Sequence, residues 1–394
     1  MTRRISQNKV FVLYLLSIST FFASLNQNIY TPIIPLIRDF FSVSINWVNF
    51  TVSSFIFIIA MIQISLGTVI DSKNQKRLLL ISFIFINIST IFCAYADHFL
   101  LFLIARIVQA IGAGIIPLVT INMITRLFEG EARGSAIGTY QILLTLAPAI
   151  SPILGGLLGQ YYGHQGIFLF LFVISAVLFI LIIYGLPDNE RKDAQGKTSS
   201  LLKTYIAVFS NYMGVSTMIV SFFVFFVYFS ILVYLPILLN DQYHVPLQII
   251  GLLYLPLTVS MILGSVIFKK LQKRIPLNDL FIAVLFLMPL EVILFGLLHT
   301  KTIIGLAILL FGYGMTVGFS PPLFSTMISN EYSQNRGTAL GLFNFIRYSG
   351  MAIGGMFSGL YKVIPSNLVY VFLGIFLFFT SILHYRSLKK RLLY

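Results

Sequence analysis

Apolar residues fill this chain in long runs, and polar residues gather in the gaps between them. A run of about 18 or more apolar residues is long enough for a helix to cross the hydrocarbon of a bilayer. Twelve such runs are present, at roughly 10–33, 45–66, 77–96, 100–125, 134–160, 166–186, 212–238, 247–268, 280–298, 302–326, 337–361 and 367–386. The pattern predicts an all-α membrane protein with twelve transmembrane helices.

Composition agrees. Of 394 residues, 58% are hydrophobic and 10% charged, where a soluble domain has about 25% charged residues. Mean hydropathy is +0.94, which excludes a globular enzyme carried on a single anchor. The first run follows a short basic N-terminus, Met1 to Lys9. It is too long for a signal-peptide core and lacks a small-residue cleavage pattern, so it reads as the first spanning helix. The lone cysteine, Cys93, lies inside a run, leaving no disulfide framework and no cysteine-based metal site.

The net charge is +14, and its placement orients the chain. Of the 26 Lys and Arg residues, 21 fall at the N-terminus, in the gaps after even-numbered runs, or in the C-terminal tail. Only Arg38, Lys301 and Lys362 fall in the other gaps, while Arg106 and Arg347 lie within runs. Cations collect on the cytoplasmic side of membrane proteins. Both termini are therefore expected in the cytoplasm of a multi-pass plasma-membrane protein. The basic face meets anionic lipid rather than nucleic acid.

The longest polar segment, Pro187 to Lys203, lies near the midpoint and reads as a flexible linker. It divides the chain into an N-terminal six-helix bundle (1–186), a cytoplasmic linker (187–205) and a C-terminal six-helix bundle (206–394). The halves echo each other. Glu131-Ala-Arg-Gly-Ser-Ala-Ile-Gly-Thr-Tyr-Gln141 aligns with Gln334-Asn-Arg-Gly-Thr-Ala-Leu-Gly-Leu-Phe-Asn344 at an offset of 203 residues. Each copy opens the penultimate run of its half, as in transporters built from repeated bundles.

Several residues stand out as chemistry in apolar surroundings. The stretch Gly138 to Gly156 carries Pro148 and Pro152 with Gly155 and Gly156. Proline is tolerated in a membrane helix where neighbours satisfy the freed carbonyl, and small residues let helices approach closely. This stretch reads as a bent helix pressed on a neighbour, a hinge. Arg106 and Gln109 sit three apart in the fourth run, so they share a helix face. An arginine there normally faces a cavity or a partner. Asn26, Asn28 and Tyr30 close the first run and offer hydrogen bonds to a substrate. Glu291 is the only acid near the middle of a run, suited to proton exchange because burial favours its neutral form. Arg347 is either its partner or a cavity residue beside Asn344 and Tyr348. Gln141 and Tyr228 complete the candidate substrate contacts, the latter within an aromatic series from Phe222 to Tyr234, some of which is expected to face lipid. After the second run, Asp71 ends a helix before the basic loop Lys73 to Arg77. The five histidines lie in or near gaps without metal-ligand spacing. No cofactor or metal is expected.

Three of these stretches resemble motifs of the major facilitator superfamily. The loop with Gly67, Asp71, Lys76 and Arg77 is similar to its inside-gate signature, with Asn74 in place of a usual glycine. Arg106-Ile-Val-Gln109-Ala-Ile-Gly112 resembles its Arg-x-x-Gln-Gly motif, with Ala110 replacing the first glycine. Ser151-Pro152-Ile-Leu-Gly155-Gly156 resembles the antiporter motif of drug:proton exporters, with Ser151 replacing glycine. The end of the first run is similar to that of bicyclomycin-resistance exporters, but Asn28 stands where they have an acid. The resemblance implies Gly67, Asp71 and Arg77 as gate residues and Pro148, Pro152, Gly155 and Gly156 as hinge residues. It further implies a twelve-helix secondary exporter of small amphiphilic compounds or drugs. Such a protein works by proton antiport, as two bundles expose a midplane site to each side in turn. Its partners are a small-molecule substrate, protons and the bilayer, and it acts as a monomer. The alternative is a dedicated exporter of an endogenous polar or anionic metabolite, such as a siderophore or metallophore. It is favoured by Arg106, Arg347 and the missing acid. A non-transporting scaffold is the remaining rival. No nucleophile–base pair points to an enzyme.

Overall fold

The computed structural model describes residues 2–67, 70, 73–186, 208–332 and 336–392, which are helical apart from short connections and contain no strand. A chain in hydrocarbon must satisfy its backbone groups internally, which favours helices over open sheets. The helices are α1 (Thr2–Asn28), α2 (Ile34–Phe41), α3 (Ile45–Gly67), α4 (Gln75–Ala94), α5 (Phe99–Leu127) and α6 (Gly130–Gly185). They continue with α7 (Tyr212–Ile237), α8 (Leu247–Leu252), α9 (Leu255–Leu271), α10 (Leu277–Leu298), α11 (Ile303–Glu331), α12 (Arg336–Phe357) and α13 (Ser366–Leu392).

All twelve predicted runs fall on helix. Ten helical stretches among the described residues are long and apolar enough to cross a membrane. The difference has two sources. The fifth and sixth runs share the 56-residue α6, which breaks at Gly163, where φ is 64° and ψ is −167°. Only glycine adopts that combination without strain. The eleventh run forms α12, whose Asn344 and Arg347 lower its apolarity. Many outward-facing side chains are apolar, with Tyr184 86% and Ile304 76% exposed. Such a surface suits acyl chains rather than water.

The helices sort into two compact units. The first holds residues 2–186 together with Leu235–Leu252, and the second holds 208–234 and 253–392. In the first, α6 packs along α1 and α4, and α5 packs along α3 and α4. Gly112 of α5 lies so close to the Ser82 carbonyl that a Cβ would collide with it. The segment Leu235–Leu252 joins this unit through contacts of α8 with α6. In the second unit, α9 packs on α11 and α10 on α13. Gly314 and Gly318 of α11 lie against the carbonyls of Leu257 and Met261. Gly350 and Gly354 of α12 rest in the same way on the carbonyls of Phe222 and Phe226.

Candidate functional site

Arg106 is the most demanding residue of the first unit. It lies seven residues into α5, about 10 Å along the helix, and is 1% exposed. Its Nη1 donates to Gln109 Oε1 at 2.6 Å, and Gln109 Nε2 donates to Thr90 Oγ1 at 2.8 Å. The shared face predicted for Arg106 and Gln109 is present. Aromatic rings supply the remaining surroundings: the guanidinium carbon lies 4.2 Å from the Phe55 centroid, 4.7 Å from Tyr30 and 6.0 Å from Phe168. Tyr30 is itself fixed by a 2.8 Å hydrogen bond between its hydroxyl and Thr51 Oγ1.

No carboxylate approaches Arg106: among the described residues the ion pairs are those of Arg38. Taking an unpaired ion out of water costs several kcal/mol even after relaxation. A desolvated cation–π contact returns about 2 kcal/mol or more, and a hydrogen bond to a charged group about 1.5–3 kcal/mol. Together these offset much of the penalty without supplying a countercharge. Polar capacity is left over. Arg106 Nε and both amide atoms of Asn26 are buried with no partner. Asn28 does not join this group, because its Nδ2 donates back to the Ser24 carbonyl at 2.7 Å.

The stretch around Pro152 sits where two distant segments converge on α6. Gly155 presses on the Ile29 carbonyl and Pro32, and Gly156 presses on the Leu247 carbonyl and Gly251. Gly251 in turn meets the Pro152 carbonyl. Pro148 and Pro152 remove helix donors, and Ser151 Oγ donates to the Ala147 carbonyl at 2.5 Å. The expected close approach is thus real at Gly155 and Gly156. It does not extend to Gly138, which has nothing within 4 Å of its Cβ position. A second contact ties the same distant segments. Arg38 Nη1 and Nη2 donate to the Asp241 carboxylate at 2.5 and 3.1 Å, and its Nε donates to Asp39 at 2.7 Å.

In the second unit, Glu291 Oε1 accepts from Thr316 Oγ1 at 2.9 Å, and its Oε2 is buried with no partner. Arg347 is not its partner: the guanidinium lies 4.9 Å from the Tyr348 centroid and 5.2 Å from that of Phe225. Asn344 is half-buried on α12, three residues before Arg347, on the same face. Tyr228 is 5% exposed within the aromatic series of α7. In that series Phe222 and Phe223 are half-buried, while Phe225, Phe226, Tyr228, Phe229 and Tyr234 are buried.

The gate candidates are only partly visible. Gly67 ends α3, and Arg77 lies in the first turn of α4, where its backbone N–H donates to Asn74 Oδ1 at 3.0 Å. Asp71, the side chain of Gln141 and the linker at 187–205 lie outside the described residues. Sequence reasoning missed Thr51, Thr90, Thr316, Asp241 and Gly251. Asp241 had a signal, being an acid in a gap whose counterpart gap in the first half holds Arg38. The threonines had none, since a hydroxyl on a helix usually bonds its own backbone.

A buried arginine, a single mid-span acid and glycine seams in a helical bundle clothed in apolar side chains are the build of a multi-pass membrane protein that keeps polar groups inside it. The sequence matches the profile of the Major Facilitator Superfamily over residues 16–355, and the chain belongs to that family. It is 25% identical over 202 residues to the uncharacterised MFS-type transporter YhcA of Bacillus subtilis (strain 168), covering 50% of this chain and 38% of that protein. It is 23% identical over 210 residues to Citrate exporter 1 of Aspergillus niger, covering 52% of this chain and 40% of that one. The aligned part thus spans about two fifths of the length of these relatives. Among solved structures, a D-xylose-proton symporter matches with a TM-score of 0.76 over 95% of this chain and 97% of that chain, at 15% identity, a likeness of fold alone.

Proposed function

We propose that this chain is a secondary active exporter of small amphiphilic compounds, of the drug:proton antiporter type that bicyclomycin-resistance exporters represent. It works by alternating access, as a monomer in the plasma membrane with both termini cytoplasmic. Two six-helix bundles, 1–186 and 206–394, carry the movement, and the linker at 187–205 joins them. The observation that carries this reading is the seat of the antiporter-like stretch. Gly155 and Gly156 give α6 a backbone-to-backbone contact with Ile29 and with Leu247, segments that lie far apart in sequence. A seam without side chains can part and close again without repacking a core.

Glu291 supports the coupling half of the proposal. It is the one acid near mid-span, it is held by a single hydroxyl donor, and its second oxygen is free to take a proton. One proton entering down a potential of about 100 mV supplies about 2.3 kcal/mol, which sustains roughly a 40-fold concentration ratio of a neutral cargo.

The test is uptake into inverted membrane vesicles with an imposed pH gradient, using fluorescent amphiphiles of positive, zero and negative charge. Gradient-dependent accumulation of at least one probe is expected. Equal signals with and without the gradient remove the antiport claim, and no movement of any probe removes transport.

A further inference from the structure

We propose that the first unit contains an anion subsite, in which the Arg106 guanidinium receives the carboxylate of an organic anion. The inference rests on the transport reading and names the cargo class that this reading leaves open.

The argument begins with a charge inventory. The chain has 12 acidic residues, and Glu291 alone lies near the middle of a spanning run. Glu291 belongs to the second unit and is engaged by Thr316. The first unit therefore buries a cation to 1% exposure with no acid of its own at that depth. Arg38 makes the contrast, with two carboxylates in its grip.

The donors left open around Arg106 suit one ligand chemistry. A guanidinium carries five N–H donors in a planar fork that matches a carboxylate. One hydrogen bond is made, to Gln109, and Nε is buried with no partner. Elsewhere in the same unit Asn26 of α1, 0% exposed, holds an amide whose two polar atoms are likewise unpartnered. Phe55, Phe168 and Tyr30 surround the guanidinium with rings that bind an apolar body as readily as a cation. An organic cation finds the opposite of what it needs here, because Arg106 repels it and no acid answers it.

The experiment measures binding to the purified full-length protein by thermal shift and calorimetry. The three probes share one ring system: naphthalene-2-carboxylate, naphthalene-2-carboxamide and 2-naphthylmethylammonium. The wild type is expected to bind the carboxylate about tenfold or more tightly than the carboxamide, the range of one charge-assisted hydrogen bond. Arg106→Gln is expected to lose that difference. Gln109→Glu keeps the arginine and the fold while placing a countercharge on the atom 2.6 Å from Nη1. It is expected to raise the melting temperature and to lose the carboxylate preference. The inference is overturned if the wild type binds carboxylate and carboxamide alike or prefers the ammonium. It is also overturned if the carboxylate preference persists in Gln109→Glu. Vesicle transport separates this claim from the reading beneath it. Export of the ammonium probe alone keeps the exporter and removes the anion subsite. Carboxylate binding at Arg106 without gradient-driven movement keeps the subsite and removes the exporter.

Discussion

Arg38 holds Asp241 with two parallel hydrogen bonds across 203 residues of sequence. The pair fastens the last turn of α2 to the turn after α7, in the same unit as the Gly156–Gly251 seam. Both side chains keep some solvent contact, at 21% and 37% exposure. Their coupling is therefore expected near about 0.5–1 kcal/mol, the upper part of the range for exposed pairs. A double-mutant cycle with Arg38→Gln and Asp241→Asn measures it. The charge-exchanged pair Arg38→Asp with Asp241→Arg should recover most of the lost melting temperature. Additive losses in the cycle would show that the contact carries no coupling.

The glycine seam yields a sharper contrast. A Cβ at Gly156 or Gly251 runs into backbone, which cannot turn aside. Gly156→Ala and Gly251→Ala are each expected to destabilise by about 1–3 kcal/mol. Gly138 faces open space on the same helix. Gly138→Ala should be neutral or stabilising by up to about 1 kcal/mol through helix propensity. Thermal melting of the three variants in one detergent gives the comparison, and a similar loss at Gly138 would count against the seam.

For Glu291, neutralisation should separate two kinds of transport. Glu291→Gln is expected to lower gradient-driven accumulation at least about tenfold, while exchange of labelled for unlabelled cargo across the membrane continues. Full gradient-driven activity in this variant would remove the proton role assigned to the residue.

His299 gives stability a pH dependence. It follows α10, is fully buried, and is held by the Phe295 carbonyl at 2.7 Å and Ser366 Oγ at 3.0 Å. Tyr234 and Tyr370 flank it, and its ring stacks on Phe295. Burial lowers its pKa below the ordinary 6.5, with backbone hydrogen bonds opposing in part. The unfolded chain therefore takes up this proton first as pH falls. The stability contributed by neutral His299 is intact above the ordinary value and is lost as pH drops toward the depressed one. Melting temperature followed downward from about pH 8 should fall in this window, and the fall should flatten in His299→Gln.

The spans were legible because a backbone in lipid leaves the sequence little choice: every apolar run became helix. Even the division inside α6 was readable, since the gap between the fifth and sixth runs contains Gly163. The pairing of Arg106 with Gln109 followed from helical spacing. What escaped was contact between remote segments. Leu235–Leu252 belongs to the C-terminal half by position and to the first unit by packing. No periodicity announces such an exchange. Glu291 likewise has a neutral hydroxyl as its partner rather than Arg347, because hydrogen bonding to Thr316 satisfies it locally and Arg347 finds aromatic faces.

The modest apolarity of α12 has a consequence for how the protein is made. This helix holds Asn344, Arg347 and a run of glycines, and it is the described span that enters hydrocarbon least readily by itself. Its Gly350 and Gly354 seat on the carbonyls of Phe222 and Phe226 in α7. The ribosome delivers α7 more than a hundred residues earlier. Biogenesis thus supplies the dock before the helix that needs it, so the insertion machinery hands α12 to a waiting partner rather than to bare lipid.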